Sequence, residues 1–209
     1  MTSLKTTIDA NLLANVKGFL DHEEGMALNA IALKAARMGA CLEIGSYCGK
    51  STIYLGTACR ELNGILFSVD HHRGSEEQQP GEEYFDPSLV DPRALEINTL
   101  PFFRQTIDAA GLSETVVPLV TASKTAAQAW QTPLSLVFID GGHSFEAAST
   151  DYAVWSPHIL PGGYLLIHDI FEDPKEGGQA PYRVYQLALS SGRFDPLPRV
   201  KTLGILQRL

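Results

Sequence analysis

Cysteine is scarce in this chain and forms no pattern. Cys41, Cys48 and Cys59 are odd in number and include no CxxC pair, which argues against a disulfide framework and against a thiolate zinc site. Basic residues are also few: 16 Lys and Arg stand against 24 Asp and Glu, a formal net charge of −8. No basic stretch offsets this balance, so nucleic acid is not an expected partner. No apolar run approaches the length of a membrane span. Residues 1–10 lack the apolar core of a signal peptide. The expectation is a cytoplasmic protein that engages neither nucleic acid nor membrane.

What is present suits one ordinary domain. The 209 residues are 44% hydrophobic and 19% charged, enough to bury a full core. Residues 8–38 read as two helices, the second around 26–37, rich in Ala and Leu. Apolar runs at 40–44, 65–69, 115–120, 134–139 and 164–167 read as strands. Helical stretches at 50–62, 94–110, 123–130, 145–155 and 181–189 alternate with them. Pro161-Gly162-Gly163 reads as a turn, and two closely spaced strands follow at 194–200 and 203–207. Alternating strands and helices imply a parallel sheet covered on both faces. The expected fold is a Rossmann-like, doubly wound α/β domain over residues 1–209. Its sheet is seven-stranded and mostly parallel, with the last strand antiparallel.

Residues 71–93 break this rhythm. They hold Pro80, Pro87, Pro92, Gly74, Gly81 and six carboxylates, and they are too long for an ordinary connection. Tyr84, Phe85, Leu89 and Val90 argue against simple disorder. The segment reads as a lid or substrate loop.

In such sheets ligands bind beyond the carboxyl ends of the strands. The first of these ends carries Glu43-Ile44-Gly45-Ser46-Tyr47-Cys48-Gly49-Lys50-Ser51. Two glycines let the backbone approach a ligand, and the following helix N-terminus suits a carboxylate or phosphate. Gly49-Lys50-Ser51 looks like the end of a phosphate-binding P-loop, and the 136–140 strand ending on Asp140 would suit its metal-supporting partner. A P-loop, however, needs four residues before its Gly-Lys pair, and only three separate Gly45 from Gly49. Glu43 also sets an anion where phosphates would lie. A dinucleotide turn would want a third glycine near the pyrophosphate, where Tyr47 stands. An S-adenosylmethionine turn fits better: a carboxylate before the first glycine favours a cationic ligand over phosphate. Ser46 and the N–H groups near Gly49 and Ser51 could then hold the methionine carboxylate, and Asp70 could accept both ribose hydroxyls.

At these residues the chain resembles the class I methyltransferases. The 43–52 motif is similar to that of a subgroup containing the catechol-type and macrocin-like O-methyltransferases. So are Leu136-Val137-Phe138-Ile139-Asp140-Gly141-Gly142-His143 and Pro161-Gly162-Gly163-Tyr164-Leu165-Leu166-Ile167-His168-Asp169. The resemblance runs over about residues 24–170. It implies S-adenosylmethionine as cofactor, contacted by Glu43, Gly45, Ser46, Tyr47, Gly49, Ser51 and Asp70, with Ser123 placed to meet the adenine. Asp140 joins this set, and His71 is expected to stack near the adenosine.

The resemblance also implies the chemistry. Four of the six histidines lie just past strand ends: His71, His72, His143 and His168. An oxygen nucleophile needs a base or a metal to lose its proton. By similarity, Asp140, His168 and Asp169 are candidate ligands for a divalent cation, Mg²⁺ or Mn²⁺, and His143 is the candidate general base. His168 departs from the subgroup, which has an oxygen ligand there. Imidazole suits Mn²⁺, Fe²⁺ or Zn²⁺ better than Mg²⁺. His72 and Arg73 have no assigned role. The expected activity is O-methylation of a small-molecule or sugar hydroxyl, by a chain that associates with itself as the subgroup often does. Three alternatives stand beside it: a non-catalytic S-adenosylmethionine-binding module, a P-loop-like nucleotide hydrolase, and an oxygenase of the cephalosporin hydroxylase kind.

Overall fold

The computed structural model describes residues 8–142 and 144–209. The strands are β1 (Ala40–Ile44), β2 (Leu66–Val69), β3 (Val90–Asp91), β4 (Glu96–Ile97), β5 (Val116–Leu119), β6 (Leu134–Ile139), β7 (Ile159–Ile167), β8 (Phe194–Val200) and β9 (Leu203–Arg208). The helices are α1 (Ala10–Asn15), α2 (His22–Ala35), α3 (Lys50–Glu61), α4 (Leu100–Ala109), α5 (Ser123–Ala127), α6 (Phe145–Trp155) and α7 (Ala180–Ser190). Seven strands form one sheet in the order β5-β2-β1-β6-β7-β9-β8. The first five strands of that order pair in parallel, whereas β9 runs antiparallel to both β7 and β8.

The strand pattern explains the layering. All six residues of β6 are buried, as expected of a parallel strand covered on both faces. Side chains alternate across a strand. Leu136 and Phe138 therefore pack into one core layer with Leu28, Tyr54 and Phe103 from α2, α3 and α4. Val137 and Ile139 face the other layer, with Trp155 from α6 and Val184 and Ala188 from α7. All three cysteines are buried free thiols. The two tryptophans of the chain meet edge to face in the second layer, with ring centroids 5.1 Å apart.

Several boundaries differ from the sequence reading. The helix expected over 94–110 starts at Leu100, with Pro101 in its first turn, where the missing proline N–H costs nothing. Ahead of it, Leu95 takes φ +58° and Glu96–Ile97 pairs antiparallel with Val90–Asp91. The turn expected at Pro161-Gly162-Gly163 is instead part of β7, which shifts register against β6 there. Gly162 absorbs the irregularity at φ +79°. Residues 71–93 are structured rather than featureless. They contain two short 3-10 turns, at Glu76–Gln78 and Pro87–Leu89. Leu89 packs with Cys48 and Ile97 in a small satellite core.

β1 pairs with β2 on one side and β6 on the other, so chain direction across the sheet diverges at β1. That is the topological switch point, where such sheets open a crevice beyond their carboxyl ends. The ladder continues one bond past each strand: Gly45 N–H donates to Val69 O, Asp70 to Leu119 O, Asp140 to Ile44 O and His168 to Ile139 O. These bonds hold Asp70, Asp140 and His168 along one rim of the sheet.

Candidate active site

A cavity of about 520 Å³ opens above this rim, within the usual range for small-molecule sites. Gly45, Ser46 and Tyr47 line it from the glycine turn, and Ser51 from the first turn of α3. Asp70 and His71 line it from the end of β2, Ser123 from the start of α5, and Asp140 from the end of β6. His168 and Asp169 close it from the end of β7.

The turn itself is held by geometry that only glycine allows. Gly45 has φ +84°, and a Cβ there would lie 2.1 Å from the Asp140 carbonyl oxygen. Gly49 has φ +93° and precedes α3 with no side-chain cap. The first turn of α3 therefore offers uncapped N–H groups at the positive end of the helix. Tyr47 also sits at positive φ, +49°, a strained setting of the kind that gathers at functional sites.

Two expected cofactor contacts do not face the cavity. Glu43 is completely buried. It accepts hydrogen bonds from Thr52 Oγ1 at 2.5 Å, Ser68 Oγ at 2.7 Å and Ser51 Oγ at 3.0 Å. Its carboxylate thus anchors the glycine turn to α3 and β2 from below. Burial pushes its pKa up to about 7, with the Thr52, Ser68 and Ser51 hydroxyls opposing the rise. Gly49 likewise lies behind the turn, against Thr106 and Phe103 of α4. A strand-end carboxylate followed by glycine does not by itself disclose which way the side chain turns.

Asp70 does line the cavity, but it is already engaged. Oδ2 accepts from the Ser46 and Tyr47 N–H groups at 2.9 Å each, and Oδ1 accepts from His72 N–H at 2.6 Å. A carboxylate has about four acceptor positions, so capacity for a ligand hydroxyl remains. His72 is buried against Phe103 and bonds Thr99 Oγ1 at 2.8 Å. It holds the loop from inside, and burial lowers its pKa. Arg73 points outward to Glu96. Lys50, the residue a P-loop would place on phosphates, donates instead to Gly18 O at 3.1 Å.

One polar atom on this side has no partner. Among the described residues, Ser46 Oγ and Ser156 Oγ are the buried side-chain polar atoms lacking a hydrogen bond, and Ser46 lines the cavity. An orphaned buried hydroxyl is costly unless a ligand satisfies it.

A family model described as "Methyltransferase domain" matches residues 42–170, from the middle of β1 to just beyond β7. The chain belongs to this methyltransferase family. Solved structures with the same fold include an O-methyltransferase from Bacillus cereus in complex with SAH, at 18% identity and TM-score 0.60, covering 94% of this chain and 85% of that one. Cofactor-bound Rv0187 from MTB is similar at 20% identity and TM-score 0.64, covering 96% and 88%. The calicheamicin methyltransferase CalS11 is similar at 13% identity and TM-score 0.66, covering 94% and 88%. At these identities the likeness is one of fold.

The far wall of the methyltransferase cavity concentrates charge. His168 is 6% exposed. Its Nδ1 faces Asp140 Oδ1 at 3.0 Å and Asp169 Oδ2 at 3.5 Å, while Nε2 faces Glu24 Oε2 at 3.0 Å. Burial opposes charge on the ring, but Asp140, Asp169 and Glu24 outweigh it and hold its pKa well above the ordinary histidine range. Asp140, His168 and Asp169 each offer one ligand atom, all within 4.8 Å of one another. Three carboxylates around one imidazole leave the cluster anionic whether or not the ring is protonated. Asp169 adopts φ +58°. His143, the expected base, lies outside the described residues.

Sequence reasoning missed two acids. Glu24 looks like a helix cap and nothing more, because Asp21 and Glu24 form a complete capping box. Asp151 looks like a polar residue on an amphipathic helix. It is buried and lines the cavity beside Ser123. Burial pushes its pKa up to about 6, against the Ser123 hydroxyl bonded to it. Ser123 Oγ also accepts the Trp155 indole N–H at 2.8 Å.

The mouth is aromatic. Phe19 and Tyr84 line it with their rings edge to face at 5.2 Å, and Tyr47 stands 6.0 Å from Phe19. Lys17, paired with Asp86 and Ser88, ties the N-terminal segment to the 71–93 loop. Among the described residues, no helix is long and apolar enough to cross a membrane.

Proposed function

We propose that this methyltransferase uses S-adenosylmethionine to methylate a hydroxyl oxygen of a small molecule or sugar, assisted by a divalent cation. The observation that carries the reading is the cavity at the switch point. There the unsatisfied Ser46 hydroxyl, the uncapped start of α3, Asp70 and Ser123 line one side, and an anionic Asp140/His168/Asp169 cluster lines the other. The bound ligands named in the Bacillus cereus and MTB structures support the same cofactor.

The residues fit that cofactor. Ser46 and the α3 N-terminus suit the methionine carboxylate. The spare acceptor position of Asp70 suits a ribose hydroxyl, and Ser123 and Asp151 suit the adenine edge. Asp140 supplies negative charge near the sulfonium. The donor set of two carboxylates and one imidazole fits Mn²⁺ better than Mg²⁺.

Bound S-adenosylmethionine supplies an electrophilic methyl group: the acceptor oxygen bonds its carbon while sulfur keeps the C–S electron pair. A divalent cation between Asp140, His168 and Asp169 would lower the acceptor hydroxyl's pKa. His143, three residues beyond Asp140, takes the hydroxyl proton. The 71–93 loop and the Phe19–Tyr84 pair exclude water from the acceptor side, and the cavity holds the reactants in line.

Calorimetry with S-adenosylmethionine and S-adenosylhomocysteine tests cofactor use, and no heat from either in folded protein overturns the reading. With an acceptor found by screening, His143→Ala is expected to lower kcat by roughly 10²–10⁴-fold while adenosylhomocysteine affinity holds. An unchanged kcat removes His143 as the base.

A further inference from the structure

The carboxylate of Glu24 ends at an imidazole 144 residues away in sequence. Both its oxygens are used. Oε1 accepts from Thr202 N–H at 2.8 Å and from Thr202 Oγ1 at 2.7 Å. Oε2 accepts from Asp21 N–H at 3.3 Å and from His168 Nε2–H at 3.0 Å. Glu24 is 3% exposed. It therefore joins the start of α2, the β8–β9 turn and the end of β7. Glu24 and Thr202 both lie outside the stretch that matches the methyltransferase family, residues 42–170.

We infer that Glu24 is a positioning residue which fixes the orientation of His168 and keeps a proton on Nε2, so that Nδ1 is the nitrogen a cation shared with Asp140 and Asp169 would engage. This rests on the divalent-cation reading above. An ionised carboxylate only accepts, so the nitrogen facing Glu24 carries a proton. By the same rule Nδ1, facing Asp140, carries a proton when no cation is bound; a cation displaces that proton while Glu24 keeps the other on Nε2, so Nδ1 is the nitrogen freed to ligate. Nδ1 is the nitrogen that meets Asp140 and Asp169. A carboxylate behind a ligating imidazole is a recurrent device for setting ring orientation and raising ligand basicity. Thr202 restrains that carboxylate in turn, since two of its donors hold Oε1.

The substitution Glu24→Gln reverses the last bond. The Thr202 N–H and hydroxyl keep an oxygen at the Oε1 position, so the amide NH₂ takes the Oε2 position and donates to Nε2. Nε2 then carries no proton, and the ring keeps its one N–H on Nδ1, pointing at the two aspartates. Mn²⁺ titrated into the full-length protein and followed by electron paramagnetic resonance reads the consequence without any turnover. Wild type is expected to bind, and folded Glu24→Gln to bind roughly 10–100-fold more weakly. Asp21→Ala breaks the same capping box without touching the imidazole. It is expected to lower the melting temperature but keep wild-type Mn²⁺ affinity.

Wild-type affinity in folded Glu24→Gln would show Glu24 to be a strut only, and would leave the cation site standing. A wild type that takes up no Mn²⁺, while still binding adenosylhomocysteine, would overturn the cation site and this inference with it. Should Glu24→Gln fail to fold, the imidazole ¹⁵N spectrum of Zn²⁺-loaded wild type decides, with His168 assigned by its loss in His168→Gln. Protonated Nε2 and bare Nδ1 support the inference, and protonated Nδ1 overturns it.

Discussion

Asp70 Oδ2 accepts the backbone N–H groups of both Ser46 and Tyr47, at 2.9 Å each. The carboxylate at the end of β2 thus shapes the turn that follows β1, besides facing the cavity. Asp70→Ala removes three charge-assisted bonds, each contributing about 1.5–3 kcal/mol in favourable settings. The partly exposed site keeps the total toward the lower end. Adenosylhomocysteine affinity is expected to fall by at least tenfold, with a clear drop in melting temperature. Calorimetry and a thermal melt on the same sample check both. A variant that loses stability but keeps affinity would confine Asp70 to shaping the turn.

Glu43 makes stability depend on pH. Its folded-state pKa is raised from 4.5 to about 7, so the folded protein holds a proton that the unfolded chain releases earlier. Its contribution is full below pH 4.5 and is lost as pH rises through 7. At 1.36 kcal/mol per unit, the loss across that window is about 3 kcal/mol. Urea melts of wild type and Glu43→Gln at pH 5 and pH 8 are the comparison. The variant is expected to show a markedly smaller decline, and equal declines would contradict the assignment.

Gly45 and Gly81 form a matched pair for separating backbone strain from collision. Both have positive φ, +84° and +98°, but a Cβ at Gly81 meets nothing within 4 Å, while one at Gly45 meets Asp140 backbone at 2.1 Å. Gly81→Ala is expected to cost about 1 kcal/mol, a few degrees of melting temperature. Gly45→Ala is expected to cost several times more and to abolish cofactor binding. Thermal melts and adenosylhomocysteine titrations distinguish the two.

Lys50 donates to Gly18 O rather than facing a phosphate. ATP and GTP are therefore expected to leave the melting temperature unchanged. Lys50→Met is expected to keep adenosylhomocysteine affinity within about threefold, since it removes one partly exposed bond of about 1 kcal/mol. Nucleotide-induced stabilisation lost in Lys50→Met would revive the P-loop alternative.

Much of this architecture was legible in the residues. The mostly apolar β6, interrupted only by Ser135, points to a strand covered on both faces, and the run of strand-end acids and histidines marks the rim where Asp70, Asp140 and His168 stand. Local patterns failed where a side chain had two possible directions. Glu43 turns down to three hydroxyls, two of which come from the helix it precedes. Glu24 satisfies a capping box with one oxygen and reaches His168 with the same carboxylate. Asp151 sits on a helix whose buried stripe was visible, but its nearness to Ser123 depends on how α6 packs beside α5. The 94–99 stretch looked helical because nothing local reveals that Glu96–Ile97 pairs with Val90–Asp91.

The two indoles of the chain have a practical consequence. Trp155 donates to Ser123 on the cavity floor and packs edge to face on Trp130. A ligand that engages Ser123 is expected to perturb Trp155 through this bond, and Trp130 through the ring contact. Intrinsic fluorescence during an adenosylhomocysteine titration is the label-free measurement that checks this, fast enough for stopped-flow and indifferent to whether any acceptor has been found.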